Sequence, residues 1–199
     1  MGPFGSGGSA AQAVRCRHET HATSLVSLGM AFGVQPARQQ LGDVLISSCL
    51  LPYDDRTVRC APDAPPIVDY TSVRRFDVHG PLLELFRKAK TMPSWSGRAH
   101  VGPMLTGGAR IHCAAFRDEL ARALSDRDGP VIGGDMEGGG LLSSSPPTDP
   151  IGIVVKGISD FADHERDGII AKTRGPACQQ AARFVLTALQ WEESIHGTT

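Results

Sequence analysis

The sequence predicts a single α/β domain over residues 1–199, with a mixed sheet flanked by helices in three layers. Three observations carry that expectation. Short apolar runs alternate with helix-competent segments, the pattern of layered α/β folds. Within residues 130–163, two strand-like runs each end in glycine and carboxylate. One leads into Gly133-Gly134-Asp135-Met136-Glu137-Gly138, and the other, 151–155, into Lys156-Gly157-Ile158-Ser159-Asp160. α/β enzymes present acids in this way at the carboxyl edge of a sheet, where ligands of open sheets bind. Finally, 199 residues with 41% hydrophobic and 21% charged content suit one soluble domain with a sizeable core.

The elements follow in chain order. Residues 1–8, MGPFGSGG, precede a helix that begins at Ser9-Ala10-Ala11-Gln12-Ala13. Ser9 can cap that helix, and the glycines before it leave backbone N–H groups free to meet an anion. Gly5, Ser6 and Gly7 are thus candidate phosphate contacts; a flexible linker explains the same residues. Residues 23–29, TSLVSLG, predict a short buried strand ending in Gly29-Met30-Ala31-Phe32-Gly33. Gly42-Asp43 precedes another strand start at Val44-Leu45-Ile46. Recurrent prolines (Pro52, Pro62, Pro65, Pro66) predict an irregular excursion over 51–75. Pro81 suits the first turn of a helix whose apolar stripe is Leu82, Leu83, Leu85 and Phe86. Residues 98–106 predict a strand running into Gly107-Gly108, and 114–124 a helix with Phe116, Leu120, Ala123 and Leu124 at helical spacing. A final helix over 176–194 has Pro176 in its first turn and Ala177, Ala181, Ala182, Val185, Leu186 and Leu189 on one face. No internal repeat is present.

Bulk properties exclude several functions. A net charge of -1 offers no electrostatic grip on nucleic acid or an anionic membrane. The apolar runs are far too short to span a bilayer, and no charged-then-apolar signal opens the chain. The five cysteines are odd in number and never form a C-x-x-C pair, which predicts reduced thiols in a cytoplasmic protein.

Familiar catalytic motifs are absent. Gly5-Ser6-Gly7-Gly8 lacks the lysine of a P-loop, and Gly157-Ile158-Ser159-Asp160-Phe161 has phenylalanine where a nucleophile elbow needs glycine. Cys16, His18 and His21 lie close in sequence, but the histidines are three apart instead of four, so a solvated helix face explains them and no metal is expected. Arg74, Arg75, Arg87, Lys88 and Lys90 likewise read as solvated surface. The carboxylates remain. In extended backbone Asp135 and Glu137 would share a side and Met136 would face the other. Asp160 and Asp163 follow the next strand. Each could be a cap, a turn or a surface ion pair; two glycine-flanked strand ends favour a site.

At Gly134-Asp135-Met136-Glu137-Gly138 and at 155–163, VKGISDFAD, the sequence resembles the nucleoside phosphorylase/nucleosidase superfamily, and within it the methylthioadenosine/S-adenosylhomocysteine nucleosidases. In that branch [VG]-E-M-E is followed by a strand and [RK]-x-[IL]-[SC]-D-x-[AG]-D. Gly29-Met30-Ala31-Phe32-Gly33 with Gly42-Asp43-Val44 looks like the family's G-[ST]-A-G-G…G-D-[IV] block, and Leu105-Thr106-Gly107-Gly108 like its S-G-D segment. The likeness covers nearly the whole chain.

The resemblance implies a nucleoside phosphorylase-like fold and hydrolysis of the N-glycosidic bond of a purine nucleoside or nucleotide. Glu137 would hold the ribose hydroxyls and Met136 would pack on the sugar. Asp160, oriented by Ser159, would protonate purine N7. Asp135 is a further substrate-binding candidate, and the base would lie near Arg110, Ile111, Ala31 and Phe32. It implies no cofactor.

Three departures stand out. The family's first β-α-β unit, which donates a water-activating carboxylate, has no counterpart ahead of the glycine-rich helix. Ser27 and Met30 occupy places where phosphorylases carry phosphate ligands, which favours water as nucleophile. Arg110 stands where the family stacks an aromatic on the base. The same wording resembles phosphorylase-like effector domains of bacterial immunity and of multidomain signalling proteins, some of which cleave adenine nucleotides. There Lys156, with the Gly5–Gly7 segment, would suit a phosphorylated substrate. Phosphorolysis and a catalytically silent nucleoside-binding module are the alternative functions. The expected partner is a small-molecule nucleoside or nucleotide, and open sheet edges favour a homo-oligomer, dimer or higher.

Overall fold

The computed structural model of the chain describes residues 7–70, 74–125 and 129–196. Eight strands and five helices follow in the order α1 (Ser9–Thr20), β1 (Leu25–Gly33), β2 (Val44–Pro52), β3 (Thr57–Arg59), β4 (Ile67–Asp69), β5 (Phe76–Asp77), α2 (Gly80–Ala89), β6 (Ala99–Thr106), α3 (Ala114–Leu124), β7 (Gly133–Asp135), α4 (Gly138–Leu142), β8 (Gly152–Asp160) and α5 (Arg166–His196). The α/β expectation holds, and the helix over 114–124 has the predicted bounds.

Six strands form one mixed sheet in the order β5-β2-β6-β7-β1-β8, and β2 also pairs with β8, so the sheet closes on itself. β1 runs parallel to β8 but antiparallel to β7. The two acid-bearing strands therefore flank β1 in opposite directions. They do not share the carboxyl edge of an open sheet, as the sequence suggested. All nine residues of β8 are buried, as befits a strand covered on both faces.

Two cores hold the layers together. Leu45, Ile46, Phe86, Ile153, Val155 and Phe184 belong to the first, which joins the sheet to α2 and α5. Leu51, Tyr53, Leu105, Leu120 and Leu124 belong to the second, beneath α3. Among the described residues no helix is long and apolar enough to cross a membrane.

Four boundaries differ from the sequence reading. β1 does not end at Gly29 but continues through Gly33, and it is not buried as expected: residues 25–30 stay half-buried or exposed, because a cleft lies along the strand. β8 likewise continues through Lys156 to Asp160. The excursion over 51–75 is partly ordered: β2 runs to Pro52, and β3 pairs with β4 as a two-stranded ribbon. The last helix begins at Arg166, which leaves Pro176 in its interior. An interior proline forfeits one helical hydrogen bond. Ala177, Ala181, Phe184, Val185 and Ala188 offset that loss by burying a continuous stripe on the sheet, whereas Leu186 and Leu189 are exposed. The approach is close enough that a Cβ on Gly157 would overlap the Ala177 carbonyl, so glycine is required where α5 crosses β8.

Candidate active site

A cleft of about 700 Å³ lies along β1, within the size range of small-molecule sites. The structure brings most of the predicted residues to its walls. Ala31 and Phe32 line it from β1, Arg110 and Ile111 from the segment after β6. Asp135, Met136 and Glu137 enter from the end of β7, and Lys156, Ser159 and Asp160 from β8. Gly7 is exposed and does not border the cleft. Gly5 and Ser6 lie outside the described residues.

Local irregularities aim these side chains. Along the β1–β8 pair, Ala31 faces Ile158 but Phe32 faces Asp160, so Ser159 is an extra residue on β8. Such a bulge breaks the alternation of side chains and re-aims them, which brings the adjacent Ser159 and Asp160 to one cleft. At the end of β7 the backbone leaves the extended region: Glu137 has φ -119° and ψ -27° and caps α4. Met136 and Glu137 consequently both face the cleft, contrary to the alternation expected for a strand. On the β6 side, the buried Tyr53 hydroxyl donates to the Ala109 carbonyl at 2.7 Å and fixes the backbone beside Arg110. Burial pushes the Tyr53 phenol far above its ordinary value, so it remains a donor at every working pH.

Asp160 is held on both oxygens. Oδ2 faces the Ser159 hydroxyl at 2.8 Å, and Oδ1 accepts from the Ala162 N–H at 2.9 Å. Arg166 Nε approaches Oδ1 at 3.4 Å. Arg166 went unmarked in the sequence; a basic residue in the first turn of the helix after the S-D motif was the available signal. Asp163 is not part of the cleft: its Oδ1 accepts the Glu165 N–H at 3.1 Å at the start of α5.

Across the cleft, Lys156 Nζ stands 3.0 Å from Glu137 Oε2 and 3.4 Å from Asp135 Oδ2. Asp135 also accepts from the Gly138 N–H, at 3.1 and 3.0 Å on its two oxygens. The meeting follows from register. Lys156 pairs with Gly29 on one side of β1, while β7 runs back along the other side from the Phe32–Gly134 pair. A Cβ on Gly29 would stand 3.2 Å from Lys156 Nζ, and its φ of +150° disfavours any side chain, so glycine opens the passage for the ammonium. Burial raises the pKa of Asp135 against the pull of Lys156. Burial would lower that of Lys156, but the Asp135 and Glu137 charges outweigh it and raise the pKa. Lys156 is therefore a cation neutralised by protein carboxylates, not an ammonium open to a phosphate as expected from the sequence.

This arrangement can hold a diol, with a carboxylate fixed by an ammonium, and can move a proton, with a carboxyl group backed by a hydroxyl. No protein-family model matches the chain. The chain is similar to a death domain-containing ATP nucleosidase of the sponge Amphimedon queenslandica, 29% identical over 197 residues, which is 86% of this chain and 34% of that protein. It thus spans about a third of that relative. Among solved structures it resembles the 5′-methylthioadenosine/S-adenosylhomocysteine nucleosidase of Neisseria meningitidis in complex with methylthio-immucillin-A (TM-score 0.73, 18% identity, 91% of this chain and 75% of that one). It also resembles the S-adenosylhomocysteine nucleosidase of Streptococcus pyogenes in complex with a methylthiotubercidin-type ligand (TM-score 0.72, 20% identity, 91% and 73%). The chain thus has the fold of those two nucleosidases.

Proposed function

We propose that the chain is an N-glycosidase that hydrolyses the bond between a purine base and ribose in a nucleoside or nucleotide. The observation that carries this reading is the convergence of Glu137 and Asp160 on one cleft from strands on either side of β1, each with fixed partners. In this reading Glu137 accepts the ribose hydroxyls and Met136 packs on the sugar. Asp135, buried behind them, acts through Lys156. The base lies between Phe32, Ala31 and the Arg110-Ile111 segment. Asp160 gives its proton to N7, the C1′–N9 electron pair leaves with the base, and water adds to the oxocarbenium-like C1′ and releases a proton. The leaving base needs that proton because its anion is a poor leaving group. Similarity to an ATP nucleosidase supports an adenine nucleotide as substrate.

The reading extends to a cytoplasmic homo-oligomer. It is supported by five cysteines free of disulfides and by Val58, Ile67 and Val68 exposed on the β3–β4 ribbon; analytical ultracentrifugation measures the assembly. The activity test is base release from adenosine, inosine and ATP, with and without inorganic phosphate, followed by chromatography. Phosphate-independent release of adenine or hypoxanthine is expected; release from none of the three overturns the proposal.

A further inference from the structure

Lys156 is a cation in the middle of a sheet strand, with its side chain 4% exposed. Burying an ammonium is costly unless it is paired, and β8 offers an apolar neighbourhood of Val154, Val155 and Ile158. Its two partners differ in kind. The Asp135 side chain is wholly buried and anchored by the Gly138 N–H. The Glu137 side chain is 27% exposed and borders the cleft. The backbone of Glu137 is also fixed, since its carbonyl accepts the Ser9 hydroxyl at 2.6 Å and the Gly140 N–H at 3.1 Å. Support thus runs in one direction, from Asp135 through Lys156 to Glu137.

We infer that Lys156 is a positioning residue that holds the Glu137 carboxylate aimed into the cleft, and that it thereby sets the demand for a ribose carrying free 2′ and 3′ hydroxyls. This inference rests on the ribose-binding reading of Glu137. A glutamate that turns away loses one acceptor for the diol. An ammonium fixed on Oε2 prevents that. Gly29 is part of the same device, because any side chain there would crowd the ammonium. A purely structural lysine would stabilise the sheet equally for every ligand; a positioning lysine discriminates between ligands by their hydroxyls.

The experiment measures binding and base release for two ligand pairs, adenosine with 2′,3′-dideoxyadenosine and ATP with 2′,3′-dideoxy-ATP, on the full chain and its Lys156→Met and Lys156→Arg variants. In Lys156→Met, KM and Kd for the ribose member should rise roughly tenfold or more, the loss of one charge-assisted hydrogen bond. The dideoxy member should change less than about twofold, because it lacks the hydroxyls that read the carboxylate. Lys156→Arg should restore most of the preference. Because Lys156→Met strands the Asp135 charge, the double variant Asp135→Asn/Lys156→Met keeps the buried charges balanced and should show the same collapse of preference. Equal losses on both members of a pair, or an unchanged preference, overturn the inference while leaving the glycosidase intact. If the wild type binds the ribose member no better than the dideoxy member, the inference falls with the ribose role of Glu137. Binding with preference but without base release upholds it and removes only the hydrolytic activity.

Discussion

Glu137 and Asp160 occupy one cleft and are both carboxylates, yet their surroundings differ in chemical kind. Glu137 receives an ammonium at 3.0 Å, a partner that only donates. Asp160 meets partners that only donate at Oδ1, the Ala162 N–H and Arg166 Nε, whereas Oδ2 has a hydroxyl at 2.8 Å. A hydroxyl donates to a carboxylate and accepts from a carboxylic acid, so Oδ2 is the oxygen that can carry a proton while Ser159 keeps a partner. When Asp160 carries the proton, the Ser159 hydroxyl has the Ala31 carbonyl as its alternative acceptor at 3.2 Å. The contrast is between a carboxylate held by a partner that only donates and one with a partner that both donates and accepts. Those are the needs of a sugar holder and of a general acid.

The comparison is broken most directly at the acid. Asp160→Asn should lower base release by roughly 10²- to 10⁴-fold, the usual worth of general acid catalysis, with the melting temperature preserved; full activity removes the assignment. Glu137→Gln should act on the other quantity, raising KM for ribose substrates roughly ten- to a hundredfold, the range for losing hydrogen bonds to a charged group. If steady-state kinetics instead show Glu137→Gln depressing kcat alone, the two roles are exchanged. Ser159→Ala sharpens the contrast on a smaller scale. It should lower kcat roughly five- to tenfold, from the loss of one buried hydrogen bond to Asp160, with KM little changed.

The smallest effect concerns pH. The raised pKa of Lys156 means that the folded chain holds this proton more tightly than the unfolded chain, whose value is the ordinary 10.5. Its contribution to stability is full below pH 10.5 and is lost as pH rises through the folded value. The difference in urea stability between wild type and Lys156→Met should therefore be constant from neutral pH to about pH 10 and shrink above it. A difference that grew with alkalinity contradicts the ion-pair account.

Much of this was legible beforehand because it depends on local pattern. The helix over 114–124 follows from apolar spacing, and the strand over 98–106 was placed within a residue of β6 (Ala99–Thr106). The α5 boundary was misplaced because proline usually marks a helix start, and packing on β8 outweighed that preference. Leu186 and Leu189 were expected on the apolar face with Val185, whereas Phe184 and Ala188 occupy it. Arg166 was missed because the last helix was expected to begin at Pro176, so its true first turn, next to the S-D motif, went unrecognised.

By itself the sequence determined the α/β class, the glycine-flanked acids and the motifs that resemble a nucleosidase, because residue type and short-range spacing carry those signals. Only the tertiary structure decided which charges meet. That Lys156 serves Glu137 depends on β7 and β8 flanking β1 in opposite directions, with Gly29 between them. That Ser159 and Asp160 reach the same cleft depends on one extra residue in a strand. Both are matters of register between segments far apart in the chain, and register is set by how strands pair and pack, which no local run of residues specifies.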